Sequence, residues 1–322
     1  MKRIILWCVL CILLIAGLLQ ANTIRRFSAT SLRYTNAISG NAAYRSRQYA
    51  IDNPETFWPT FWSETTVSVS TPHRETNTAA INFSGDATLV WHAKYLTGSA
   101  PSPLDGNGIA VSEALAHSLW GSTDIVGKTA QVDEEERTVR GVFQDEKELA
   151  LIAFHIEDTS QRWHGVELSV GENSPTRHEA ESFAISSGIG RPDYLLTGNV
   201  IFLAGFMSIF PLLIIGAYVL VMLIKFMRNY FPQLFAPIFF IIFVLAAVFL
   251  PTLLDTLPPW LIPTHWSDFS FWSSLLSQAG DSAREFLSVP PVLRDIELRV
   301  YLLRQVGILL LSTCCSIKIT AV

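Results

Sequence analysis

The sequence has 322 residues, of which half are apolar and only 16% charged, with a mean hydropathy of +0.34. An ordinary soluble domain carries roughly 25% charged residues, so the composition excludes one and points to a membrane protein. The net charge of −5, from 23 basic and 28 acidic residues, argues against a nucleic-acid or polybasic lipid-binding role, since both need a concentrated positive surface.

The charge is unevenly spread. Residues 23–199 hold 14 Lys or Arg against 22 Asp or Glu, a net of −8, which leaves +3 for the rest. An acidic polar block therefore sits between hydrophobic ends.

In chain order, residues 1–22 are the first predicted transmembrane helix. Lys2 and Arg3 lead into an uncharged apolar stretch, residues 4–19, closed by Gln20, Asn22, Arg25 and Arg26. A basic start and a short apolar core also suit a signal peptide, although Gln20-Ala21-Asn22 makes a poor small-residue cleavage site. Residues 4–21 just meet the roughly 17–25 residues a span needs, which favours an uncleaved anchor over a cleaved signal.

Residues 23–199 show mixed periodicity, which predicts an α+β domain. Strands are expected at 87–91, 108–112, 137–143, 149–155 and 165–170, the last with Val166, Leu168 and Val170 alternating with polar partners. After the second of these, Ser112 can cap a helix with Ala114, Leu115 and Leu119 on its apolar face, which Gly121 stops. Upstream, Phe57, Trp58, Phe61 and Trp62 fall at i, i+1, i+4 and i+5, the pattern of a helix over 45–64 despite Pro54 and Pro59. A packing cluster is favoured there over an exposed ligand-binding or membrane-dipping face.

Candidate chemistry in this block is sparse. The acidic run 133–136 reads as a solvated turn between strands, and a divalent-cation site there would need oxygens that converge rather than merely follow one another. His155, His164 and His178 are scattered, and an exposed polar role is the default for each. Residues 121–129, GSTDIVGKT, imitate a phosphate-binding loop, but five residues separate the glycines where the motif needs four, and the stretch follows a helix. No H-E-x-x-H, G-x-S-x-G or strand-borne G-x-G-x-x-G occurs. No catalytic residue, cofactor or metal of the chain's own is therefore expected.

The second predicted transmembrane helix, residues 200–224, contains no charged residue, and Lys225 and Arg228 beyond it mark the cytoplasmic side. Residues 225–233 are read as a cytoplasmic hairpin and 234–250, bracketed by Pro232 and Pro251, as the third transmembrane helix. The polar block then lies outside. Residues 251–299 are read as an outer interfacial loop, in which Trp260, Trp266 and Trp272 suit the headgroup level. Residues 300–318 are the fourth transmembrane helix, crossable if Arg304 snorkels outward, with Lys318 as inner anchor.

The two best spans hold no ionisable residue, which argues against a self-sufficient secondary carrier and an intramembrane hydrolase. Three or four spans also enclose no pathway alone, so any translocation needs an oligomer. Cys8, Cys11, Cys314 and Cys315 all lie in the apolar end segments. The C-x-x-C at Cys8 and Cys11 lacks the second pair, the His ligands and the βαβ context of metal or redox sites, which leaves helix packing or lipid contact. The fold class expected is an α+β extracytoplasmic domain plus an α-helical transmembrane bundle of about four spans, in the plasma or inner membrane.

The string GIAVSEALAHSLWGSTDIVGKTAQVDEEERTVRGVF, residues 108–143, resembles the extracytoplasmic core domain of MacB-like transporter permeases. The resemblance lies in a strand ending in Val-Ser-Glu, a helix with Ala-Leu-Ala, an aromatic-Gly pair, a Val-Gly-Lys turn and a Val-x-Gly-Val strand. The span order is similar too, with a large outer domain between the first and second spans, and the last three spans resemble the FtsX-like superfamily.

The resemblance implies an integral subunit that pairs with a separate ATP-binding cassette ATPase and with a second, identical or different, permease. ATP would be bound by the partner, whose closure would move the outer domain. It places the ATPase contact at Lys225, Phe226, Arg228, Asn229 and Tyr230. The expected function is export or extraction of an amphipathic peptide or lipid-like compound. A signalling role, activating an outer wall enzyme or reporting an antimicrobial, and a plain membrane-anchored binding module are the alternatives. The short last span with Arg304 and the modest outer domain depart from the pattern and leave substrate handling open.

Overall fold

The structure is a computed structural model that describes residues 2–24, 27, 30–169, 175–196, 210–230, 240, 244, 248 and 269–321. Two units divide the chain: Arg26–Ile201 with Glu285–Val300, and Met1–Arg25, Phe202–Arg284 and Tyr301–Val322.

The first unit is built on a mixed sheet. Its strands are β1 (Thr30–Ser39), β2 (Trp58–Ser70), β3 (Glu75–Ser84), β4 (Tyr95–Gly98), β5 (Gly108–Ser112), β6 (Thr129–Val132), β7 (Glu135–Phe143), β8 (Leu149–Ala153), β9 (Arg162–Ser169) and β10 (Tyr194–Leu196). They lie in the order β10-β1-β9-β2-β3-β8-β5-β7-β4, with β6 pairing β2 and β7. The β3/β8 and β5/β7 pairs are parallel and the others antiparallel. Thr71 closes the β2–β3 hairpin, its N–H donating to the Arg74 carbonyl at 2.8 Å. Asp133 and Glu134, at φ 47° and 73°, make the turn between β6 and β7, the left-handed pair that suits a tight hairpin.

Four helices of this unit are α2 (Gly40–Asp52), α3 (Ala87–Val90), α4 (Glu113–Trp120) and α5 (Arg177–Ser186). Ser112 caps α4 as its sequence predicts, accepting from Leu115 N–H at 3.1 Å, and the same oxygen accepts from Leu149 N–H at 3.0 Å, which ties the helix to β8. Gly121 ends α4 at φ 70°, a left-handed position open to glycine. Thr176 and Glu179 form a capping box at the start of α5.

Neighbouring strand residues face opposite sides, and the sheet carries a core on each. On one side α4 packs Leu115, Ala116 and Leu119 on Val67, Ile109 and Val139, while α2 and α5 pack Ala43, Ala180 and Phe183 on Leu32, Phe61 and Val166. On the other, α3 covers Trp62, Ile81, Phe83 and Leu151, and Val292 and Leu293 pack against the same cluster.

Two sequence expectations change here. Where a strand is expected at 87–91, residues 87–90 form the four-residue helix α3 with Trp91 as its C-cap, because Asp86 accepts from Thr88 N–H at 2.8 Å and turns the chain. The aromatic run at 57–62 begins strand β2, not a helix. Phe61 and Trp62 are both buried, one on each face, while Trp58 is 45% exposed under the Arg47 guanidinium. The packing role expected of the cluster holds for Phe57, Phe61 and Trp62, the Phe57 ring lying 6.0 Å from that of Phe183.

The second unit is described through α1 (Lys2–Ile24), α6 (Phe210–Tyr230), the part of α7 (Phe269–Ser288) up to Arg284 and the part of α8 (Leu293–Ala321) from Tyr301. Among the described residues three helices are long and apolar enough to cross a membrane: Ile5–Ile24, Phe210–Tyr230 and Leu293–Thr320. The third predicted span, 234–250, lies outside the described residues apart from 240, 244 and 248. The helix placed at 200–224 starts in the described residues at Phe210 and runs on to Tyr230, so 225–230 are helical rather than hairpin. The interfacial loop expected at 251–299 contains the helix α7, and the last helix begins at Leu293. Within this unit Gln20 Nε2 donates to the Tyr301 carbonyl at 2.6 Å and Gln305 Nε2 to the Gly17 carbonyl at 3.4 Å, so α1 and α8 meet side by side.

Candidate functional site

The second face of the sheet carries a polar cluster where the register brings β1, β9 and β2 together. Gly165 pairs with Arg33 on one side and with Trp62 on the other. A Cβ at Gly165 would stand 2.2 Å from the Trp62 ring. The bare position lets the Arg33 guanidinium reach over the indole, 4.3 Å from its centroid. One pair along, Ser31 faces Glu167.

Glu167 is fully buried. Its Oε1 accepts from Ser31 Oγ at 2.6 Å and Trp62 Nε1 at 2.9 Å, and lies 2.7 Å from Arg294 Nη1. Arg294 and Asp295 come from the first turn of α8, which joins this unit. Asp295 Oδ1 lies 2.8 Å from Arg33 Nη2. Two cations and two carboxylates are thus buried as crossed pairs around one tryptophan, with Arg294 also 5.4 Å from its ring centroid. Such cation–π contacts are worth about 2 kcal/mol when desolvated. Burial pulls the Arg33 guanidinium below its ordinary pKa, opposed by the charge of Asp295.

The backbone around the cluster is matched to it. The last carbonyls of a helix lack intrahelical partners, and those of α3 accept from Arg294: Leu89 O from Nη2 at 2.8 Å and Val90 O from Nε at 2.9 Å. At the start of α8 the free N–H groups of Leu293 and Arg294 donate to the two oxygens of Glu64, at 2.9 and 3.0 Å. A carboxylate there also suits the helix dipole. At the end of α7, Glu285 accepts from Leu195 N–H at 2.8 Å and pairs with Arg177 at 2.7 Å, which raises the Arg177 pKa.

Between these anchors the turn over residues 289–292 roofs a cavity of about 250 Å³, lined by Val289, Pro290 and Val292 on one side and Arg33, Tyr34, Trp62 and Tyr194 on the other. Among the described residues no group of three or more His, Cys, Asp or Glu converges as a metal site. His164 Nδ1 lies 3.1 Å from the Tyr34 carbonyl.

The residues singled out from sequence fall elsewhere. Lys225, Phe226, Arg228, Asn229 and Tyr230 are exposed on the last turns of α6, where the Phe226 and Tyr230 rings stand 4.8 Å apart. Trp260 and Trp266 lie outside the described residues. Trp272 lies on α7. Sequence reasoning missed Arg33, Glu64, Glu167, Arg294 and Asp295. The one signal available was a pair of opposite charges, Arg33 and Glu167, in otherwise apolar or β-forming stretches.

No protein-family model matches the sequence, and no curated protein does. Among solved structures the chain is similar to the periplasmic region of MacB from Actinobacillus actinomycetemcomitans, at 11% identity and TM-score 0.45, over 55% of this chain and 93% of that one. It is also similar to the extracellular domain of the noncanonic ABC-type transporter YknZ from Gram-positive bacteria, at 12% identity and TM-score 0.37, over 48% and 88%. A domain of a protein described as a permease from Porphyromonas gingivalis follows at 14% identity and TM-score 0.36, over 52% and 86%. At such identities the likeness is one of fold, not of residues or activity.

Proposed function

We propose that the chain is the permease subunit of an ATP-binding cassette transporter or mechanotransmission complex. The sheet unit lies outside the cell membrane, and a partner ATPase supplies the energy from the cytoplasm. The observation that carries this is the grip of the sheet unit on the first turn of α8. That helix is unbroken from Leu293 to Ala321, so displacing it displaces the turn that Glu64, Glu167 and Arg33 hold. A domain built only to bind a ligand has no need of two buried charges on a helix that runs on into an apolar span, each paired with an opposite charge buried on the sheet.

In this reading Lys225, Phe226, Arg228, Asn229 and Tyr230 form the ATPase contact, and the chain works with a second permease. It has no catalytic centre, cofactor or metal of its own. The cargo is an amphipathic peptide or lipid-like compound. Reversing Lys225 and Arg228 to Glu together tests the contact: association with the ATPase should fall at least tenfold, and unchanged association and activity would remove it. Export measured in reconstituted vesicles separates this function from signalling to a wall enzyme.

A further inference from the structure

Residues 285–300 meet the sheet through a set of charged contacts. Glu285 takes the Leu195 amide and Arg177 at one end of the turn, and Glu64 takes the first two amides of α8 at the other. Arg294 and Asp295 add the crossed pairs with Glu167 and Arg33. Separated ion pairs regain their hydration, so a buried network fixes register more than it adds stability. The compensation here is incomplete: Arg33 Nε, Glu167 Oε2 and Asp295 Oδ2 are buried with no hydrogen-bond partner among the described residues. The middle of the turn borders a cavity. Val292 and Leu293 add apolar contact with the sheet core, and Phe286, Val289 and Leu298 are buried as well.

We propose that residues 285–300 form a releasable clasp, which lifts from the sheet as a unit while the sheet stays folded. The crossed pairs Arg294–Glu167 and Arg33–Asp295 act as its two-state element. Closed, they set the register of α8 on β1, β2 and β9. Open, all four charges meet water and the second face of the sheet around Trp62 is uncovered. This inference concerns the chain's own conformation and stands whether or not an ATPase partner drives the opening.

Hydrogen exchange of the full chain in lipid nanodiscs, read by mass spectrometry, tests it, since sub-global opening exchanges faster than global unfolding. Peptides covering 285–300 should exchange at least tenfold faster than those covering β3 and β8. Glu64→Gln should speed the clasp peptides severalfold further and leave β3 and β8 unchanged. If 285–300 exchanges together with β3 and β8 in the native chain, the clasp opens only by global unfolding and the proposal is overturned. It is equally overturned if 285–300 exchanges fast but ignores Glu64→Gln, because the segment then frays without a clasp.

Discussion

Arg294 and Glu167 are 127 positions apart in sequence, yet Nη1 of one lies 2.7 Å from Oε1 of the other with both side chains buried. Removing one member of such a pair leaves an unpaired buried charge, which costs about 3–5 kcal/mol. Arg294→Met should therefore lower stability by that order, measured by denaturant unfolding of the full chain followed by tryptophan fluorescence. Adding Glu167→Gln should recover part of the loss. Strict additivity in the double-mutant cycle would show that the two side chains do not interact.

Gly165 is required by the room it leaves. Gly165→Ala would put a methyl group 2.2 Å from the Trp62 ring, and overpacking of this kind costs about 1–3 kcal/mol. The displaced indole should also lose its contact with Arg33, giving a shifted emission maximum. Native emission together with native stability would show that the strand gives way without cost.

The parts legible in sequence were those in which local rules and the tertiary fold agree. Ser112, Leu115, Leu119 and Gly121 mark a helix that the structure contains, because cap, apolar face and stop all lie within ten residues. Phe57, Trp58, Phe61 and Trp62 misled because two adjacent aromatics repeated after four positions lie on one side of a helical wheel, while a strand buried on both faces also accepts adjacent aromatics. Strands β1 and β3, TSLRYTNAIS and ETNTAAINFS, hide among polar residues, many of them buried against other chain segments. Arg294 and Asp295 looked like part of a polar loop, since nothing local announces a partner 262 residues away such as Arg33.

The start of α5 should respond to acid. Hydrogen bonds from the Thr176 backbone, then its side chain, hold the Glu179 carboxyl below its ordinary pKa. A depressed carboxylate contributes stability that is present above its unfolded pKa and lost as pH falls through the folded one. Exchange of the first α5 amides should hence quicken as pH drops below about 4.5, after correction for the intrinsic rate. Thr176→Ala should cost about 1 kcal/mol and flatten this response. A Thr176→Ala chain with the native pH profile would assign the effect elsewhere.

In the helical unit, a Cβ on Gly17 would stand 3.3 Å from Ile308 Cγ2. Gly17→Leu should push α1 and α8 apart, and cross-linking between cysteines placed at Gln20 and Tyr301 should fall severalfold. The native contact also predicts that α1 is retained, so the intact mass of the purified protein should include it. A mass lacking α1 would show that it acts as a cleaved signal.

The most direct measurement is affinity purification of the chain from its native cell in mild detergent, with mass spectrometry of what accompanies it. The account predicts a stoichiometric subunit carrying a true G-x-x-x-x-G-K-S/T phosphate loop, lost when Lys225 and Arg228 are both changed to Glu. A chain that reproducibly emerges alone, or only with wall enzymes, would contradict the permease function.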